Sequence, residues 1–396
     1  MGALDLLVVG GGISGMTAAF RAAQRGGQAV VLERSDAPGG CIHSARLPSG
    51  FWFELGAHTC YSTYGGLLGM LEARDALGTL RPRQKAPFRL LARGRVRSIA
   101  SQLGIASLLL HAPRILFAKK AGQTVRGYYG GLVGEGNYER VFGPLFAAVP
   151  SQRADDFPAE MLFKSRPRRK DVPRSFTLDG GLSTIFDVVA QTPGLKVIPR
   201  AEVVSLTRDG GRFTATQSDG RTHQAAQVLL AVPPVAAAKL AAAVAPRAAE
   251  ALSRIACSTV RSVGVVVRRD STALEPVTGI IPLDDQRFFS CVSRDTVPDE
   301  TFRGFAFHMK PGVGREDALA AIASVLQVDA THFVHVEERE VTLPSPKLGH
   351  DATVRAIDEG LAGLPLGIAG NFFAGLSIED CVQRADAEVS RLAALA

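Results

Sequence analysis

Leu4-Asp5-Leu6-Leu7-Val8-Val9-Gly10-Gly11-Gly12-Ile13-Ser14-Gly15 is the stretch whose reading decides the fold. An apolar run stops at three glycines, and a helical pattern follows. Gly10, Gly12 and Gly15 fit the dinucleotide fingerprint. The first glycine makes a tight strand-to-helix turn, the second lets backbone approach a pyrophosphate, and the third lets helix and strand pack closely. Unpaired N–H groups at the helix start then face the phosphate charge. A second apolar stretch, Gln28 to Leu32, ends at Glu33, where a carboxylate hydrogen-bonds an adenosine ribose. The expectation is a bound dinucleotide on a parallel α/β unit.

Working outward, 396 residues suffice for two domains with sizeable cores, and an apolar share of 46% is ordinary for a globular chain. The net charge of +7 implies a solvated positive surface, compatible with an anionic substrate or an anionic membrane face. No Lys/Arg run is interleaved with aromatics, so nucleic acid is not an expected partner. The cysteines (Cys41, Cys60, Cys257, Cys291, Cys381) are odd in number and lack a CxxC, which argues against a disulfide framework or a zinc site. A reducing, cytoplasmic compartment fits that usage. The apolar N-terminus has no basic n-region and reads as a strand, not a signal peptide. No uninterrupted apolar run reaches about 18 residues, so no membrane-spanning helix is expected. Met1-Gly2 is not followed by the Ser or Thr of a myristoylation site.

Nucleotide-binding signals recur at both ends and near residues 200 to 232. Val228 to Val232 reads as a buried strand ended by Pro233-Pro234, and Gly367 to Ala369 as a last short strand before a helix from Ile378. The order predicts a discontinuous first domain over residues 1–80, 195–235 and 345–396. A helical, membrane- or substrate-lining region over 81–194 and a substrate domain with β-sheet over 236–344 are inserted into it. Asp209-Gly210 and Asp219-Gly220 mark a small β-meander. Ser262 to Arg268 and Gly304 to Met309 are strand-like, and Arg315 to Leu326 is helical. Leu103 to Ala118 is apolar and precedes Lys119-Lys120; it reads as a core helix pair, the lip of an apolar channel, or a membrane-surface patch.

Three further constellations carry chemistry. Pro38-Gly39-Gly40-Cys41-Ile42-His43-Ser44 follows Glu33 closely and allows near backbone approach to a ligand. Phe53-Glu54-Leu55-Gly56-Ala57-His58-Thr59 joins an alternating strand to a glycine. Gly370-Asn371 and Gly375-Leu376-Ser377-Ile378-Glu379-Asp380-Cys381 join a strand end to a helix start, whose positive dipole end suits an electron-rich flavin edge. Lys164 to Lys170 is basic; it reads as a solvated loop, with Arg166, Arg168 and Arg169 as candidate anion contacts.

This ordered set resembles the FAD-dependent amine oxidase superfamily, and within it the oxygen-dependent protoporphyrinogen oxidases. The matching pieces are Gly10 to Gly15, Glu33-Arg34, Gly39 to Ser44, Glu54-Leu55-Gly56, Val203, Ala231 to Pro234, and the Gly370-Asn371…Asp380-Cys381 spacing. The resemblance covers about half the chain by motif. It implies a glutathione-reductase-like, FAD-binding Rossmann domain of the α/β class, with an inserted α+β substrate domain and a helical subdomain. Gly10, Gly11, Gly12, Ile13, Ser14, Gly15, Glu33 and Arg34 would hold the ADP half, and Val203 the adenine. Gly40, Cys41, Gly56, Ala57, His58 and Thr59 would lie along the ribityl chain and isoalloxazine. Gly370, Asn371, Leu376, Ser377 and Ile378 would line the pyrimidine edge. No metal is implied.

The implied activity is hydride removal from a tetrapyrrole precursor (protoporphyrinogen or coproporphyrinogen) to FAD, with O2 as acceptor. Family members carry Pro and then Arg or Asn after Glu-Leu-Gly; here the residues are Ala57 and His58. Such an Arg would hold a propionate, whereas His58 offers a base or a hydrogen-bond donor. An FAD-dependent desaturase or amine oxidase, or a non-redox isomerase or binding protein, stays open. A single Trp and few Tyr weigh against the aromatic cage of an amine site. Cys381, at a helix start, reads as a packing cysteine or a low-pKa thiol. Lys239 reads as a solvated helix end.

Overall fold

The computed structural model describes residues 5–284 and 287–395. Leu4 and the myristoylation reading at Met1-Gly2 lie outside them. Five strands form one parallel sheet in the order Leu195–Ile198, Ala29–Leu32, Leu6–Val9, Val228–Leu230, Leu366–Ile368. These strands are almost entirely apolar because helices cover both faces. On one face lie the helices Ile13–Gln24, Thr184–Ala190 and Ile378–Ala393, packed around Met16, Phe20, Phe186 and Val389. Arg21 and Asp386 pin the first helix to the last at 2.7 Å. On the other face lie Pro234–Ala241, Pro246–Ser253 and His350–Leu361, together with a meander of Val203–Asp209, Arg212–Gln217 and Thr222–Ala225.

A second, seven-stranded sheet runs Phe333–Pro344, Cys257–Arg268, Phe302–Met309, Phe288–Ser293, Gly279–Pro282, Phe88–Ala92, Arg95–Ser98. Val263, Val265, Phe305 and Phe307 point to one face, where the helix Arg315–Leu326 covers them. Gly264, Val266, Gly304 and Ala306 point to the other and receive Phe51, Phe53 and Leu55. The glycines make that docking possible. A Cβ on Gly264 would sit 2.3 Å from the Phe53 ring, and one on Gly304 2.7 Å from Phe53 Cβ. The strand Trp52–Glu54, which leads into Gly56-Ala57-His58, is thereby laid against the sheet.

The region 81–194 is less uniform than its sequence suggests. Its first strands, Phe88–Ala92 and Arg95–Ser98, complete the seven-stranded sheet. Its last elements, Ser175–Leu178 and Thr184–Ala190, join the first core. Between them, Val125–Val133 and Gly143–Ala148 pack around Tyr138, Phe146 and Phe157. The core reading of residues 103–118 does not hold. The helix Ile105–His111 and the turn after it bury nothing, and Leu109, Leu116 and Phe117 are 71%, 79% and 82% exposed. Pro113 ends the helix, and the helix Val125–Val133 packs beside it without burying Leu109, Leu110, Leu116 or Phe117. Among the described residues, no helix is long and apolar enough to cross a membrane.

Candidate functional site

Gly10 ends the first strand at φ +102°, a left-handed conformation that favours glycine, and a Cβ there would meet Ala231 O at 2.4 Å. A Cβ on Gly15 would meet Gly10 O at 1.9 Å. The helix Ile13–Gln24 therefore starts tightly on the strand. Its N-cap is Gly12, which offers no side-chain cap, and no acid lies in its first turn. The first N–H groups are left for an outside acceptor. The second glycine loop comes in beside them: Gly39 donates its N–H to Gly11 O at 3.0 Å, and Gly12 faces Gly40. Bare backbone with uncapped donors fits a pyrophosphate. Ile13 and Ser14 are buried in the first turn.

Glu33 is buried at the end of the second strand. Its Oε2 accepts from Gly11 N–H at 2.7 Å and its Oε1 from Ser35 N–H at 2.8 Å. Each oxygen keeps a further lone pair, so the residue can still accept from ribose hydroxyls. Arg34 is exposed beside it. Ala201 donates to Glu33 O at 2.8 Å, which brings the start of the Val203 strand to the same end of the sheet.

Further along, Cys41 sits against Gly56, where a Cβ would lie 2.2 Å from Cys41 O. Asn371 Nδ2, just past Gly370, is 3.9 Å from Cys41 Sγ. Arg339, on the seven-stranded sheet, donates to Gly40 O at 2.7 Å and to Ile42 O at 3.4 Å. His43 Nε2 meets Glu337 of the same strand at 2.6 Å. The helix Ile378–Ala393 opens with a capping box: Ser377 Oγ accepts from Asp380 N–H, and Ser377 N–H and Oγ–H both donate to Asp380. The polar atoms of Ser377 are thus spent on the cap, leaving the helix dipole itself for a ligand. Ile378 is in the first core, and Leu376 packs on the aromatic cluster of Tyr129, Phe142 and Phe146.

The structure decides between the alternatives left open at two places. The basic segment is internally paired: Lys164 and Arg166 reach Asp380 at 2.8 and 2.7 Å, and Arg169 pairs with Glu72 and Asp171. Arg166 and Arg169 are therefore committed to folding contacts, not to an outside anion. Cys381 is no reactive thiol, because burial pushes its pKa up to about 12. Lys239 is exposed on its helix, as read.

Opposite these loops stands the near face of the seven-stranded sheet. Ser262 and Ser290 flank His308 on neighbouring strands. His308 Nδ1 lies 2.9 Å from Ser262 Oγ, while Ser290 Oγ is buried with no partner. Burial lowers the His308 pKa to about 4. Burial, then Arg83 and His308, lower that of His58 to about 3, and His58 Nδ1 pairs with Thr59 Oγ1 at 2.8 Å. Both imidazoles are neutral at physiological pH and can accept a hydrogen bond, while burial makes them weak proton acceptors. Glu54 is buried; that burial raises its pKa to about 7, although Leu182 N–H and Ser44 Oγ–H both donate to it at 2.8 Å. Arg83 Nη1 donates to His58 O at 2.8 Å.

Sequence reasoning named the two glycine loops, Glu33 and His58 as candidates, but not Arg83, Ser262, Ser290, Arg294, His308 or Arg339. A signal was present for His308. In Gly304-Phe305-Ala306-Phe307-His308 the small and polar residues alternate with large apolar ones, which marks a sheet face left open.

Residues 8–73 match the family described as NAD(P)-binding Rossmann-like domain, and residues 135–315 the family described as flavin containing amine oxidoreductase. Among solved structures, the chain is similar to one carrying a provisional protoporphyrinogen oxidase name, from Exiguobacterium sp. 255-15 (18% identity, 99% of each chain, TM-score 0.77). It is similar to a CLA-producing fatty acid isomerase from P. acnes (15% identity, 98% of each chain, TM-score 0.74). It also resembles a reduced UDP-galactopyranose mutase (14% identity, 99% of this chain and 94% of that one, TM-score 0.76). At these identities the shared property is the fold.

Proposed function

We propose that this chain, an FAD-dependent oxidoreductase of the flavin-containing amine oxidase superfamily, removes hydride from an apolar ring compound of the porphyrinogen type, with O2 as final acceptor. The bound FAD supplies the hydride acceptor, its N5. The observation that carries the substrate class is the apolar continuity around the expected flavin edge. Leu376 packs into the aromatic cluster of Tyr129, Phe142 and Phe146, in the same inserted region that displays Leu109, Leu116 and Phe117 outward. Such a surface suits an apolar ligand delivered from an apolar phase. An ammonium substrate fits poorly, because Arg83 and Arg294 place positive charge beside His58.

Each two-electron oxidation takes a hydride from a bridging methylene C–H and releases one proton, drawn from an N–H or from another methylene as the double bonds rearrange. His58 and His308, held neutral by burial, offer hydrogen-bond acceptors to the substrate. Glycine loops and Glu33 would hold the ADP half, and Cys41, Gly56 and Asn371 would flank the isoalloxazine. The test is anaerobic mixing of the yellow protein with protoporphyrinogen IX or coproporphyrinogen III. Flavin bleaching with porphyrin fluorescence, reversed by air, is expected. Intact flavin absorbance with both compounds would refute the porphyrinogen reading and leave FAD binding untouched.

A further inference from the structure

Behind His58 the near face of the sheet and the Trp52–Glu54 strand enclose a small cavity of about 20 Å³. That is room for one water or the head of a small anion. Its polar walls are Glu54, His58, Arg83, Arg294 and Thr296. Two guanidinium groups point to it, and neither has an ion-pair partner among the described residues. Arg83 donates to His58 O at 2.8 Å, and Arg294 to Val297 O at 2.6 Å. The Glu54 carboxyl is taken by Leu182 N–H and Ser44 Oγ–H. Arg294 is further held between aromatic rings, 4.4 Å from the Trp52 centroid and 4.6 Å from that of Phe51.

Two buried polar atoms at this wall lack partners: Thr296 Oγ1, on a residue 2% exposed, and Arg294 Nε. Buried donors and unpaired cations are costly, and the usual remedy is an anion or ordered water. An arginine stays protonated even there, so the site cannot relieve the cost by losing charge. Water would satisfy the donors, but the single Glu54 carboxyl in the wall, coupled to both arginines, offsets at most one of their two charges.

We propose that Arg83, Arg294 and Thr296 form an anion subsite beside the flavin face, which takes a carboxylate arm of the substrate. The inference rests on the porphyrinogen reading above for the identity of that arm. It supplies, from a different strand and a different loop, the anion contact that His58 does not provide at its own position.

The chain's single tryptophan, Trp52, lines the cavity and reports on it directly. The experiment titrates the FAD-loaded protein with bromide at constant ionic strength and follows Trp52 fluorescence, then repeats the titration in formate. A saturable quench, displaced by formate, is expected. Arg83→Gln and Arg294→Gln should each weaken it about tenfold or more, the scale of one charge-assisted hydrogen bond. Thr296→Val, a near-isosteric change, should weaken it less and keeps the test informative if an arginine variant fails to fold. Linear, unsaturable quenching that is the same in all variants overturns the site. A second arm asks whether formate competes with substrate, raising KM at unchanged kcat, in whichever substrate assay bleaches the flavin. Saturable binding without competition would assign the cavity to a resident inorganic anion and overturn the substrate-arm half. Because the bromide titration needs no substrate, it stands or falls separately from the porphyrinogen reading.

Discussion

Asp380 ties the basic segment to the start of the C-terminal helix, one wall of the proposed cofactor site, and Asp380→Asn measures that directly. Its carboxylate is 4% exposed and binds Lys164 at 2.8 Å, Arg166 at 2.7 Å and the N–H of Ser377 at 3.2 Å. Burial alone would raise its pKa, but Lys164, Ser377 and Arg166 hold it below the ordinary value. Asparagine keeps an acceptor for the helix cap and removes the charge. Contacts to a charged group contribute roughly 1.5–3 kcal/mol each. The Arg166 side chain is only 13% exposed, while that of Lys164, at 28%, is discounted for solvent screening. The expected loss is about 3 kcal/mol, in line with breaking a buried pair from one side. Urea unfolding of the FAD-loaded proteins, followed by circular dichroism with flavin in excess, reads it out. The double variant Lys164→Met/Asp380→Asn should be less destabilised than the sum of its parts. The wild-type advantage should also be lost on acidification: with a depressed folded pKa, the contribution is present above the ordinary aspartate value and disappears as pH falls through the folded one. A stability within about 0.5 kcal/mol of wild type at neutral pH would refute the reasoning, since that is the scatter of inconsequential surface changes.

Glu33→Ala should weaken FAD binding by roughly 1–3 kcal/mol by orphaning Gly11 and Ser35 N–H and removing the ribose acceptor, and titration of apoprotein with FAD would show it; unchanged affinity sinks that assignment. Gly12→Val should abolish flavin incorporation, because even its Cβ would sit 3.5 Å from Gly40 Cα and the branched methyls would fill the gap between the two glycine loops; a yellow variant at unit stoichiometry contradicts it. Glu54 has a folded pKa near 7 against 4.5, so its contribution is fully present below pH 4.5 and is lost as pH rises through 7. Glu54→Gln should therefore remove about 3 kcal/mol of pH-dependent destabilisation between pH 5 and 8, measured as a flattened urea stability profile.

The cofactor-binding half of the fold was legible because its chemistry is local. Strand, glycine turn, helix and the acid at Glu33 lie within 28 consecutive residues from Leu6, and each element announces itself by type. The substrate half hid for a physical reason. The strand Phe333–Pro344 carries Glu337, Glu338, Arg339 and Glu340 on an edge, where charge is useful and alternation is blurred. The short strands Gly279–Pro282 and Phe288–Ser293 gave too few periods to stand out. The missed site residues share one property. Arg83, Ser262, His308 and Arg294 come from four separate segments: strand register pairs Ser262 with His308, and the loops after two other strands bring Arg83 and Arg294 to one cavity. Ser377 was a different case: both its location beside the helix start and the Ser-x-x-Asp spacing that makes Asp380 its capping partner are written in the sequence.

The cofactor cradle opens at residue 10 and closes with a strand at Leu366–Ile368 and a helix that begins at Ile378. During synthesis the emerging polypeptide would display its phosphate-binding loop early, yet the floor and far wall would still be inside the ribosome or unmade. Flavin capture thus waits for residues 366 to 393: a ribosome-stalled chain ending near residue 345 should stay colourless, whereas one carried past the helix Ile378–Ala393 should take up flavin.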